Sequence, residues 1–192
     1  MKKVYNCCLL LGLLAGCKGD RDLIGYAQDE KNGLKKTVSF DNVTYTVQYK
    51  PAGYIADMER LSPADRLTRM GQLKGTAWFN ITFKIEGYNQ SPLRYQVTGI
   101  EEYTRRQDYY LNEAAKDMYM LYGNDTLYVN SYWFENNQNL LPYETMVVGF
   151  SLPDKEEQPE EDLRFSFHDK VYKNGIIKVI IRKEDLEQVP GL

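Results

Sequence analysis

One histidine and three cysteines are the whole supply of soft metal ligands and ready nucleophiles in this chain. The cysteines (Cys7, Cys8 and Cys17) all lie at the N-terminal end. A structural zinc site draws four ligands from cysteine and histidine, so a zinc enzyme is disfavoured. A Ser-His-Asp relay would rest on His168 alone. That residue ends Leu163-Arg164-Phe165-Ser166-Phe167-His168, whose apolar positions alternate and place it outward with Arg164 and Ser166. No Gly-x-Ser-x-Gly elbow, Walker loop or Gly-x-Gly-x-x-Gly turn occurs. Carboxylates are abundant, with 27 Asp and Glu. A glycoside hydrolase needs two of them about 5 to 9 Å apart in a cleft, and no spacing in the sequence places such a pair. The acidic run from Asp154 to Asp162 has two readings, a carboxylate site for calcium or a solvated loop between strands, and it lacks EF-hand spacing.

The cysteine with a chemistry of its own is Cys17. Lys2 and Lys3 precede an apolar run from Val4 to Leu14, followed by Leu14-Ala15-Gly16-Cys17. A positive start, a short apolar segment and small residues are the order of a secretory signal peptide. The apolar run is shorter than the ~20 residues a spanning helix requires. Leu14-Ala15-Gly16-Cys17 resembles the lipobox of bacterial lipoproteins. That resemblance implies a signal peptide over residues 1–16, a diacylglyceryl thioether on Cys17, and acylation of its new amino group. Each buried acyl methylene contributes ~0.8 kcal/mol, so several chains hold a protein on its membrane. Lys18 stands where an aspartate retains many Gram-negative lipoproteins in the inner membrane, so the resemblance favours the outer membrane. The charged stretch Lys18-Gly19-Asp20-Arg21-Asp22 resembles the export signal of surface-exposed Bacteroidetes-type lipoproteins.

Composition narrows the partners. The formal charge is −3 and becomes more negative once Lys2 and Lys3 leave with the signal, so there is no basic footprint for nucleic acid. By the lipobox resemblance no free thiol is left in the mature chain, which removes disulfides and thiol catalysis together. No cofactor and no metal are implied.

These residues must be carried by a body that reads as strands. Val43, Tyr45, Val47 and Tyr49 alternate with polar residues, as do Phe79, Ile81, Phe83 and Ile85. Met146, Val148, Phe150 and Leu152 form another such set, followed by Leu163, Phe165 and Phe167. From 127 to 134 both parities are apolar or aromatic, which suggests a strand buried on both faces. Turns are expected at Asp41-Asn42, at Gly123-Asn124-Asp125 and at Asn174-Gly175, the last as a type I′ hairpin turn. The expected fold is an all-β, antiparallel, immunoglobulin-like sandwich over residues 37–192, with one or two short helical insertions. Ser62-Pro63-Ala64-Asp65 reads as a capped helix start, with Leu67 and Met70 inward and Gly71 at the end. A second helix is expected within Glu101–Lys116. Residues 17–36 read as a flexible tether.

Sixteen tyrosines, with Trp78 and Trp133, are the remaining chemical resource. An aromatic side chain offers an apolar face for sugars or partner proteins, and tyrosine adds a polar tip. Tyr128, Tyr132 and Trp133 are the expected contact surface. Asp125-Thr126-Leu127 resembles the acceptor for O-glycosylation in Bacteroidetes-type secreted proteins, with Thr126 as the modified residue. The expected function is a non-enzymatic binding or scaffold domain for an envelope protein complex or a glycan, held on the outer membrane. A carbohydrate-active hydrolase is the alternative.

Overall fold

The computed structural model describes residues 22–153 and 158–191. Eight strands are formed: β1 Lys35–Phe40, β2 Val43–Lys50, β3 Thr76–Ile85, β4 Met118–Tyr122, β5 Asp125–Glu135, β6 Tyr143–Ser151, β7 Leu163–His168 and β8 Ile176–Ile181. All neighbours are antiparallel, in the order β1-β2-β3-β6-β5-β4-β7-β8. The body is therefore antiparallel β, but its strands form a single hydrogen-bonded sheet instead of two. The long β5 explains this. It pairs with β4 through Asp125–Tyr128 and with β6 from Val129 onward, carrying the ladder around a bend.

The sheet rolls into a nearly closed barrel. Its outer strands, β1 and β8, lie alongside each other without a ladder. Lys36 Nζ and Asp185 Oδ2 span this seam at 3.9 Å. Gly33, with φ of +83°, presses against the Asp185 side chain so closely that a Cβ would lie 2.1 Å from it. Only glycine combines that backbone conformation with that approach. Across the interior, Phe79 of β3 stacks on Phe165 of β7 at 5.8 Å and Tyr45 meets Phe167 edge-on at 6.5 Å. The alternating residues of β2, β3, β6 and β7 fill the core as their pattern predicts, each large side chain contributing roughly 1.5–3 kcal/mol.

Three local expectations are corrected. The tether of residues 17–36 is folded from Leu23 on. Helix α1, Leu23–Gln28, is capped by the Asp22 carboxylate, and Tyr26, Ala27 and Leu34 enter the core. Helices α2, Ala52–Met58, and α3, Pro63–Leu73, link β2 to β3. Ser62 caps α3 as expected, accepting from the Asp65 amide at 3.3 Å. However, α3 runs through Gly71, seals the core with Leu73, and leaves Leu67 at 69% exposure. The third correction is at Asn174-Gly175. The strand ends at His168 and a seven-residue loop follows, because Asp169 turns inward and its Oδ1 accepts from the Val171 and Tyr172 amides.

The second expected helix begins as α4, Ile100–Asp108, with Glu102 and Arg106 paired at 2.6 Å. It widens into a π-turn at Tyr109–Glu113 and tightens into a 3₁₀ turn at Ala114–Asp117. The change of pitch explains its uneven apolar stripe: Tyr110 and Ala114 are buried while Leu111 is exposed. A short α5, Lys183–Leu186, follows β8.

Candidate functional site

The expected contact residues all lie on β5, where one irregularity decides their direction. The ladder with β6 slips between Val129 and Ser131, so Asn130 is an extra residue in a β-bulge. Before the bulge Tyr128 faces out at 71% exposure. Strict alternation would then send Tyr132 outward and Trp133 inward. The bulge reverses the parity. Trp133 faces out at 68% exposure, and Tyr132 turns in, its hydroxyl donating to the Tyr110 carbonyl at 2.5 Å. Tyr132 thereby leaves the exposed face but, with Phe134, lines a neighbouring groove, whereas Tyr128 does not, and β5 keeps one open face instead of being buried on both.

Beyond Tyr128 the β4 side of β5 has no strand partner among the described residues; the Tyr109–Asp117 segment passes there instead. At this opening lies a groove of about 600 Å³. Trp133 and Tyr143 supply rings, Leu111 and Leu141 apolar walls, and Glu135, Asn136, Asn137 and Thr145 polar groups. The Asn137 side-chain amide donates to the Tyr143 carbonyl, which fixes the carboxamide and leaves its Oδ1 without a partner. Trp133 stands on the outer face of the sheet. Val147 and Asn80 are its cross-strand neighbours on that face. Next to them the Trp78 ring lies over Gly149, where a Cβ would be 3.1 Å from the indole and 3.2 Å from the Ser131 Cβ.

Two carboxylates that the alternation pattern places on inward positions lie behind these walls. Asp169 continues the series Leu163, Phe165, Phe167, and Glu144 begins the series Met146, Val148, Phe150. Asp169 Oδ2 accepts from Tyr45 at 2.8 Å and from Tyr110 at 2.7 Å. Burial raises its pKa, while the tyrosine hydroxyls and loop amides pull the other way. Burial likewise drives both phenols upward, with the Asp169 charge adding to it. Glu144 has one side-chain donor, Ser91, whose hydroxyl reaches Oε1 at 2.5 Å; its Oε2 has no partner. Burial pushes its pKa up to about 7. The continued inward parity of Glu144 and Asp169 was the available signal for both. Neither lines the clefts described above.

Cys17 and its lipobox lie outside the described residues. Thr126 is exposed at the start of β5. His168 is exposed with Arg164, whereas Ser166, between Tyr119 and Lys178 in the ladder, is buried. Of the acidic run, residues 154–157 are outside the described set. Asp162 is engaged in fastening α5, accepting from the Lys183 amide at 3.0 Å and from Arg164 at 3.1 Å. Among the described residues no group of three or more His, Cys, Asp or Glu could hold a metal ion, and no helix is long and apolar enough to cross a membrane.

No protein-family model and no curated protein matches the chain. A solved structure, a novel protein of unknown function from Burkholderia pseudomallei K96243, is similar at 11% identity and a TM-score of 0.39, covering 88% of this chain and 86% of that one.

Proposed function

We propose that this chain is a lipid-anchored, non-enzymatic binding domain of the bacterial outer membrane, surface-facing, with the Trp133 groove as its contact site. The observation that carries the binding role is the outward Trp133 on the lip of a groove, where a bulge has turned it against the strand's own alternation. A large indole held in water costs the fold hydrophobic stabilisation that burial would supply, so its exposure beside a concavity marks a contact site. The anchor rests on Leu14-Ala15-Gly16-Cys17. The packing of β2 and β3 against β7 across the interior supports a flattened, sandwich-like cross-section. Exposure of Thr126 at the start of β5, next to a tight turn, fits O-glycosylation there. A non-catalytic role agrees with the burial of Asp169 and Glu144, neither of which lines the groove.

Two measurements test this reading. Cys17→Ser should release the chain from the membrane fraction and abolish fatty-acid incorporation; an unchanged, unacylated membrane-bound chain in both versions overturns the anchor. Crosslinking in intact cells should capture an envelope component with the native chain and lose it with Trp133→Ala. Equal capture by both overturns the groove as the contact site.

A further inference from the structure

We infer that the Trp133 groove binds a neutral hexopyranose oligosaccharide, stacking one sugar ring on the indole. This rests on the groove being the contact site. The apolar C–H face of a pyranose ring is matched by an exposed aromatic face, and its equatorial hydroxyls by fixed amides and a carboxylate. The groove supplies both kinds of group on one lip: Trp133 and Tyr143 as rings, Asn136, Asn137, Thr145 and Glu135 as hydrogen-bonding partners. Asn136 is already oriented by the Gln138 amide, which donates to its Oδ1 at 2.9 Å. A polar group held rigid before binding loses little entropy when a ligand hydroxyl pairs with it.

Size and charge select among ligands. About 600 Å³ falls within the ~300–1,000 Å³ of small-ligand sites. A specific protein interface covers roughly 800 Å² on each partner and would have to extend well past this lip. Glu135 is the one charged residue in the lining. No Lys or Arg lines the groove to meet a phosphate, sulfate or uronate, so nucleotides and acidic sugars are disfavoured. The amide and carboxylate rim disfavours an acyl chain.

The full chain, in a detergent without a sugar headgroup, is titrated with maltotriose, cellotriose, laminaritriose and chitotriose up to about 10 mM while tryptophan emission and heat are followed. At least one trisaccharide should saturate. Trp133→Ala should weaken it about tenfold or more, Trp133→Phe should restore part of the loss, and a galacturonic acid trisaccharide should bind about tenfold more weakly. Absence of saturation with all four, or equal binding by Trp133→Ala with native circular dichroism, overturns the inference. So does equal binding of the galacturonate. If no sugar binds while Trp133-dependent crosslinking to an envelope component persists, the sugar assignment falls and the binding reading stands. If both fail, both fall.

Discussion

Asp169 and Glu144 are both fully buried carboxylates on inward strand positions, yet they are held differently. Asp169 has two tyrosine hydroxyls and two loop amides on its oxygens. Glu144 sits between Tyr143 and Thr145, the residues that wall the groove, with Ser91 on one oxygen, no hydrogen bond on Oε2, and the nearby Asn137 backbone amide as its other support. A buried charge is tolerable when donors replace the water it lost. Asp169 meets that requirement and fastens β2, the π-turn and the β7–β8 loop together. Glu144 meets it less fully, so the fold tolerates a costly group next to the surface that we assign to binding.

Substitutions should separate the two. Asp169→Ala removes the acceptor of two buried hydroxyls and should destabilise the chain by about 3–5 kcal/mol in urea unfolding, more than Asp169→Asn, which keeps an acceptor. A loss under about 1 kcal/mol would show that the network is incidental. Glu144 should show a pH signature. Its carboxyl is at about 7 in the fold against an ordinary value of 4.5, so it binds its proton more tightly when folded. The associated stability is complete below about pH 4.5 and is lost as pH rises through about 7. Glu144→Gln should therefore match the native chain near pH 4 and exceed it by roughly 3 kcal/mol at pH 9. A pH-independent difference would show that burial does not hold the Glu144 proton. Tyr132→Phe, losing one hydrogen bond, should cost about 1 kcal/mol. Trp133→Ala should stay within about 0.5 kcal/mol, since its ring packs little, while removing binding.

The strand pattern was legible because period two reports burial directly. Val43–Tyr49, Phe79–Ile85 and Met146–Leu152 read correctly for that reason. The cap at Ser62 was legible because its chemistry is local. What the sequence hid is what depends on register. Nothing in Val129-Asn130-Ser131 announces a bulge, yet it decides that Trp133 and not Tyr132 faces out. Spacing alone turns Leu67 inward, but which side of α3 is buried is set by its packing against α2. Asp169 and Glu144 sit on inward parity in plain view. A charged residue on that parity looks like the end of a strand, and only the tyrosines arriving from β2 and the π-turn make the position of Asp169 tenable.

The seam beside β8 carries a hazard and its remedy. The strand is Ile176-Ile177-Lys178-Val179-Ile180-Ile181, with a ladder on the β7 side only. Ile176 and Ile180 project outward on either side of Lys178. Six residues of this kind, free of proline and glycine, form the dry zippers of amyloid when a charge does not interrupt them. Lys178 is that interruption on an unprotected strand edge. Lys178→Val should leave the barrel intact and yet seed thioflavin-positive fibrils on agitation; a variant that stays clear would show that the neighbouring β1 alone shields the edge.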